Sequence, residues 1–137
     1  MKLVVDACIF VAEQIENQPE FAIADEFFEH CVRKGVRLCA AVIVLAEVAG
    51  AIARITADSG LGSVAMTRIV QFPNLALRQI DIEFAEAAAR AASRYFLRGA
   101  DSHYVALARE LKCPLITHDD EVLKRCPPTM QVLTPEA

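Results

Sequence analysis

Four acidic side chains in this sequence are placed where together they could hold a divalent cation. Asp6 and Asp119 each follow a short apolar run, Asp101 begins a helical pattern, and Glu47 lies inside a long apolar segment. Hard carboxylate oxygens with few soft ligands nearby select Mg²⁺ or Mn²⁺. A divalent ion held in this way can activate water and relieve negative charge on a phosphate. The four acids therefore predict a site for a divalent metal ion, and hydrolysis is a reaction that such an ion could support.

Each acid, taken alone, also has an ordinary structural explanation. Asp6, Asp101 and Asp119 stand at or just before predicted helix starts, where a carboxylate caps backbone N–H groups and is favoured by the helix dipole. Glu47 has only apolar or small residues one turn away on either side. A lone buried carboxylate is costly unless it is paired or metal-bound, and the alternative is a helix edge where Glu47 reaches solvent.

Short apolar strands alternating with longer helical segments must position these acids. Strands are expected near residues 3–5, 36–39, 75–80, 115–117 and 132–133, and helices near 19–34, 41–57, 64–72, 81–97 and 101–111, with Gly60 and Gly62 breaking the chain. This alternation predicts an α/β/α three-layer domain with a central parallel sheet of four or five strands and residues 3–5 in the middle. Ligands of such sheets bind at the carboxyl ends of the strands, so Asp6 and Asp119 should share one edge.

Length and composition favour a single folded domain over residues 1–137. The 55% hydrophobic content excludes intrinsic disorder. The longest apolar stretch, residues 38–53, contains Glu47 and is shorter than the ~20 residues a membrane span needs, and Asp6 comes too early for a signal peptide. Five cysteines without paired spacing indicate reduced thiols. The expected location is the cytoplasm, with no membrane partner.

The net charge of −4 is unusual for a protein that binds nucleic acid. Without the four candidate site acids, however, 14 acids balance 14 bases. Arg90, Arg94 and Arg98 recur every four residues toward Asp101 and are candidates for phosphate contacts along one RNA groove. The alternative is a solvated helix face on which Arg90 pairs with Glu86.

Four segments carry the acids in a distinctive order: residues 4–10 (VVDACIF), 44–48 (VLAEV), 98–108 (RGADSHYVALA) and 115–119 (LITHD). Together they resemble the acidic motifs of PIN-domain nucleases over essentially the whole chain. Their order and spacing are closest to VapC-type toxins of bacterial and archaeal toxin–antitoxin systems. The resemblance implies a PIN-like fold and a Mg²⁺- or Mn²⁺-dependent endoribonuclease. It also implies that Asp6, Glu47, Asp101 and Asp119 bind the metal and that the Thr117 hydroxyl orients them.

One position departs from the family pattern. PIN-domain nucleases commonly have Ser, Thr or Asn two residues after the first acid, where this chain has Cys8. A thiol is a much weaker hydrogen-bond partner than a hydroxyl or an amide. Cys8 is therefore expected either to lower activity or to pack as a small apolar residue.

Two other functions and two kinds of partner follow from the same sequence. A receiver-like domain would want paired acids after its first strand and a lysine after its last, and neither is present. A non-catalytic interaction module is suggested by the apolar excess. The excess also predicts a homodimer and a groove, walled by the helices near 19–34 and 41–57, for an antitoxin that inserts Arg or Lys into the acidic site.

Overall fold

The computed structural model describes residues 1–136 and contains one parallel sheet of five short strands. The strands are β1 (Lys2–Val5), β2 (Arg37–Ala41), β3 (Leu75–Arg78), β4 (Leu115–Ile116) and β5 (Val132–Leu133). Their order across the sheet is β3-β2-β1-β4-β5, so β1 is central, as predicted. Leu3, Val4 and Val5 are buried because helices cover both faces of the sheet.

Seven helices connect and cover these strands in the described residues. They are α1 (Ala7–Glu13), α2 (Phe21–Lys34), α3 (Val44–Thr56), α4 (Ser59–Val70), α5 (Ile82–Tyr95), α6 (Gly99–Leu111) and α7 (Asp120–Arg125). This confirms the three-layer α/β/α architecture. Local signals set several of the ends: α2 stops at Gly35, whose φ of 67° ordinary residues avoid, and Asp81 caps α5 by accepting from the Phe84 N–H at 2.8 Å.

Two local predictions need correction, and one short helix was missed. The helix expected over residues 41–57 begins at Val44, because Ala41 is paired with Arg78 in the sheet, and only one face of it is buried. Gly60 and Gly62 do not break the chain, because Asp58 caps α4 by accepting from the N–H groups of Gly60 and Leu61. The short helix α1 was not predicted, since its seven residues follow an apolar strand with little change in pattern.

An aromatic cluster packs the first two helices together. Phe10 of α1 stacks on Phe28 of α2 with ring centroids 5.1 Å apart, and Phe72, just after α4, contacts both rings edge-on. Such aromatic contacts are worth about 0.5–1.5 kcal/mol each beyond the area they bury. The cluster fixes α1, whose N-cap is Asp6, against the rest of the domain.

None of the helices in residues 1–136 has the length and apolar character needed to cross a membrane.

Helices α3 and α4 form a close hairpin that depends on Gly62. A methyl group at Gly62 would lie 2.7 Å from the Ala49 carbonyl oxygen and 3.1 Å from the Ala53 side chain. Gly62→Ala is therefore expected to lower the free energy of unfolding by about 1–3 kcal/mol through overpacking. Urea denaturation measures this loss, with Gly99→Ala as the control, because nothing lies within 4 Å of the added methyl there. Equal stability of the two variants would contradict the close contact.

Candidate active site

Two of the four predicted acids lie at the carboxyl ends of neighbouring central strands. Asp6 directly follows β1, and Asp119 follows β4 and caps α7 by accepting from the Glu121 N–H at 2.9 Å. β1 and β4 are paired in parallel, and the Asp6 N–H donates to the Ile116 carbonyl at 3.0 Å. Both carboxylates therefore lie on the same edge of the sheet, where ligands of parallel α/β folds bind.

Thr117 joins these two acids through its hydroxyl group. Its Oγ1 donates to Asp6 Oδ2 at 2.8 Å and accepts from the Asp119 N–H at 3.1 Å, and the residue is fully buried. Cys8 contacts the same hydroxyl, with Sγ 3.6 Å from Oγ1. Burial, followed by the charge of Asp6, raises the pKa of the Cys8 thiol to about 12. Cys8 is therefore a neutral packing partner of Thr117 rather than a thiolate nucleophile.

Glu47 and Asp101 enter the site from helices α3 and α6. Asp101 is buried in the first turn of α6, and Tyr104, one turn later, donates its hydroxyl to Glu47 Oε1 at 2.5 Å. Burial and the Glu47 carboxylate raise the Tyr104 pKa far above its ordinary value, so the phenol stays protonated. Glu47 is half-buried and paired, which removes the anomaly of a lone carboxylate in an apolar helix. Sequence reasoning missed Tyr104, although its spacing of three from Asp101 indicates a shared helix face.

Arg98 bridges the two remaining acids. Its Nε donates to Asp101 Oδ2 at 2.8 Å and its Nη2 donates to Asp119 Oδ2 at 2.6 Å, while the side chain remains 73% exposed. These ion pairs bring the start of α6 against the start of α7. The guanidinium thus supplies a cation to the acidic edge of the sheet, on its solvent side.

The other two arginines of the predicted RNA groove lie apart from Arg98. Arg90 is 3.8 Å from Glu86 in the i,i+4 pair that the sequence suggested as an alternative, and Arg94 lies over the Tyr95 ring at 5.8 Å. Because α5 ends at Tyr95, Arg98 does not continue their helical stripe. Contact of these three arginines with RNA stays a prediction.

The carboxylates of the site influence one another electrostatically. Burial, together with the charges of Asp101 and Glu47, raises the pKa of Asp6 from 3.8 to about 6, although the Thr117 hydrogen bond opposes the rise. Burial also raises the pKa of Glu47, and Asp101 adds to that increase. In the described residues only Arg98 forms ion pairs with these four carboxylates, so the site is short of positive charge.

The family model for the PIN domain matches residues 3–127. The chain belongs to the PIN domain family. The match includes all four acids and the whole of the site described above. No curated protein is significantly similar to the chain in sequence.

Solved structures of the same fold include several toxins and toxin–antitoxin complexes. VapC20 of Mycobacterium tuberculosis, described as a toxin that cleaves the sarcin–ricin loop, has a TM-score of 0.76 and 14% identity over 88% of this chain and 92% of its own. VapBC2 of Rickettsia felis, bound to a promoter DNA fragment, has a TM-score of 0.71 and 12% identity, covering 96% and 97%. FitAcB of Neisseria gonorrhoeae has a TM-score of 0.70 and 18% identity, covering 98% of each chain. At these identities the similarity establishes a shared fold.

The donors of this PIN domain fit a hard divalent cation in type. PIN-domain nucleases generally use divalent metal ions, and four carboxylates with one hydroxyl offer only hard oxygen ligands. Within residues 1–136, no three His, Cys, Asp or Glu side chains lie close enough together to hold an ion as they stand. Each carboxylate is instead hydrogen-bonded to a protein side chain: Asp6 to Thr117, Glu47 to Tyr104, and both Asp101 and Asp119 to Arg98.

Proposed function

We propose that this PIN domain is a Mg²⁺- or Mn²⁺-dependent endoribonuclease that hydrolyses RNA phosphodiester bonds as the toxin of a toxin–antitoxin pair. The observation that carries the proposal is the convergence of four carboxylates from four separate segments on one edge of the sheet. Carboxylates that lie near one another repel, so the stability of the fold gives no reason for bringing them together. The fold shared with VapC-type toxins supports the same interpretation.

The proposal assigns the metal ligands by position. Asp6 and Asp119, at adjacent strand ends, are the central ligands; Asp101 binds the same ion or a second one, and Glu47 binds directly or through water. A bound divalent ion lowers the pKa of the attacking water and offsets the charge that develops on the phosphate. Asp6 must give up its proton to serve as a ligand, which its raised pKa permits at neutral pH.

The remaining residues of the site orient these ligands. Thr117 fixes the Asp6 carboxylate and, through the Asp119 N–H, the turn that carries the second acid. Tyr104 fixes Glu47. Arg98 must release Asp101 and Asp119 before their oxygens are free to bind a cation, and its freed guanidinium can then pair with an RNA phosphate.

Arg98→Ala is expected to bind Mn²⁺ about threefold more tightly in the absence of RNA, because exposed ion pairs are worth about 0.2–1 kcal/mol and here they compete with the metal. Isothermal titration calorimetry with Mn²⁺ measures the change. Arg90→Ala is the matched control, since Arg90 pairs with Glu86 outside the site. Equal or weaker Mn²⁺ binding by Arg98→Ala would show that the guanidinium does not compete with the ion.

The partners follow from the toxin assignment. Several structures of the same fold are toxin–antitoxin complexes, including one from Klebsiella pneumoniae. Exposed apolar residues on α2 and α4 suit a protein interface: Ile23, Val32, Leu61, Val64, Met66 and Val70. We propose that the antitoxin contacts α2 and α3, the helices that the sequence suggested as the walls of its groove, and supplies Arg or Lys in place of the metal. A cytoplasmic site of action belongs to the same proposal.

Light scattering of the purified chain is expected to give twice its 15.0 kDa mass, as a homodimer. The expectation rests on the 55% hydrophobic content and on the exposed apolar residues, part of which a second copy would cover and part of which would remain for the antitoxin. A single-chain mass at high protein concentration would contradict it.

Incubation of the purified, antitoxin-free protein with total RNA, with and without EDTA, tests the nuclease proposal. Cleavage with Mg²⁺ or Mn²⁺ that stops in EDTA is expected. Cleavage that survives EDTA would remove the role of the metal. No cleavage by a folded, partner-free protein would favour the alternative, a non-catalytic PIN-like interaction module, which the exposed apolar residues also suit.

A further inference from the structure

Phe96 is an exposed aromatic residue at a helix end. It ends α5 with φ of 56°, in the left-handed region, and its side chain is 78% exposed. Gly or Asn is the usual residue at such a helix end, and in this chain the same conformation is taken by Gly35 after α2, Ala57 after α3 and Lys112 after α6, none of which is aromatic. A bulky aromatic residue in this conformation is strained, and strained residues gather at functional sites.

The backbone of Phe96 is fixed to the candidate active site. Arg125 of α7 donates a hydrogen bond from Nη1 to the Phe96 carbonyl, and its Nη2 pairs with Glu121 at 2.6 Å. The N-cap of helix α7 is Asp119, one of the candidate metal ligands. On the other side Leu97 packs against the core. The exposed ring is therefore held on a rigid support next to the acids.

Phe96 and two of the four site acids line one cleft of about 380 Å³. Its walls include the guanidinium groups of Arg98 and Arg125 and the carboxylates of Asp101, Asp119 and Glu121. The volume lies within the range of ordinary ligand pockets. The cleft therefore has three features that correspond to the parts of one nucleotide. The aromatic face could contact a base, the two cationic groups could contact its phosphate, and the candidate hydrolytic site lies beside them for the bond to be cut.

We infer that Phe96 is a stacking platform for one unpaired base of the RNA, next to the phosphate that is cut. The inference rests on the proposed nuclease function and adds to it one residue that would contact and position the substrate. Unpaired bases stack on aromatic side chains, whereas bases inside a duplex are not accessible to such a ring. Two guanidinium groups of the cleft can pair with a phosphate, which suits RNA, whereas a protein partner has the exposed apolar residues of α2 and α4 available elsewhere.

A single-tryptophan reporter tests the stacking directly. The chain has no Trp, so Phe96→Trp in an Asp6→Asn background places one fluorophore in the cleft and leaves bound RNA uncut. Titration with a short unpaired oligoribonucleotide is expected to quench its fluorescence, and titration with an RNA duplex is not. Ile82→Trp in the same background is the control, because Ile82 is 75% exposed at the opposite end of α5, and it should stay unquenched.

Truncation of the ring separates binding from stability. Phe96→Gly is expected to weaken binding of the unpaired RNA roughly 5- to 100-fold, the usual effect of losing one stacked base. Its melting temperature should match or exceed that of the wild type, since Gly adopts a φ of 56° without strain. Phe96→Tyr, which keeps the ring, should bind nearly as well as the wild type.

The results distinguish this inference from the nuclease proposal. Suppose that the wild-type protein cuts RNA, that Phe96→Gly binds and cuts RNA equally well, and that RNA does not change the fluorescence of the Phe96→Trp protein. The stacking inference is then wrong, and the ring belongs to a protein contact. Equal losses for Phe96→Gly and Phe96→Tyr would overturn it too, because the ring face would then not be the determinant. If the wild-type protein neither binds nor cuts RNA, both proposals fail.

Discussion

Asp6→Asn protein is expected to lose RNA cleavage by orders of magnitude, while its metal-free form melts at a higher temperature than the wild type. The two effects have opposite signs because one carboxylate serves two roles. In the metal-free protein Asp6 is buried near Asp101 and Glu47, and its charge is disfavoured there. The neutral amide removes that repulsion and keeps the size of the side chain.

The loss of activity follows from ligand chemistry. An amide is a poorer ligand than a carboxylate for a hard divalent ion, which in the proposed function would activate the attacking water. Asp101→Asn is expected to lose activity to a similar extent. Its gain in stability should be smaller, because Asp101 has an ion pair with Arg98 that the substitution weakens.

Asp120→Asn is the matched control for both measurements. Asp120 is adjacent to a candidate ligand but exposed in the first turn of α7, where its charge favours the helix by about 0.3–1 kcal/mol. Its substitution should lower stability slightly and leave cleavage unchanged. If Asp6→Asn behaves in this way, melting lower and still cutting RNA, Asp6 is a capping acid and the metal-site assignment fails.

The parts of the fold that the sequence predicts are those set by local pattern. The run of residues 3–5 is apolar throughout because both faces of the central strand are covered, and this pattern is typical of parallel sheets. The parallel arrangement then places Asp6 and Asp119 on one edge without further information. Gly35 and Asp81 mark helix ends because their own backbone or side chain satisfies the local requirement.

The parts that were missed depend on contacts between distant segments. Gly62 looks like a chain breaker until the approach of Ala49 shows why a residue without a side chain is needed there. Arg98 continues a four-residue spacing in the sequence, but the helix has already ended, and its ion pairs exist only because α6 and α7 begin side by side. The bond from Tyr104 to Glu47 likewise joins residues that local pattern does not connect.

The metal-free protein is expected to lose stability as the pH rises from about 4 to about 7, relative to Asp6→Asn. The pKa of Asp6 is about 6 in the folded protein and 3.8 in an ordinary environment. The folded protein therefore favours the protonated form of Asp6. As the pH rises, the unfolded chain releases this proton at a lower pH than the folded protein does. The stabilisation is fully present below about pH 4 and is lost as the pH passes through about 6.

The size of this effect is large for a single group. A difference of about two pKa units corresponds to about 3 kcal/mol, and Asp6 is buried, so solvent does not screen it away. Glu47 shifts in the same direction, because burial raises its pKa too. Its contribution remains in the Asp6→Asn protein, so the difference between the two proteins isolates Asp6.

Urea denaturation of both proteins in EDTA, from pH 4 to 7.5, measures that difference. Wild type and Asp6→Asn should converge at the acidic end, and the wild type should be the less stable protein at the neutral end. At pH 7.5 added Mn²⁺ should make the wild type more stable than Asp6→Asn, since the ion binds the ionised Asp6 carboxylate. Near pH 5 it should have little effect on either stability, because the carboxylate is protonated there. A difference that stays constant across this range, or that grows toward acid, would mean that Asp6 is ionised throughout and already has a cationic partner in the metal-free fold.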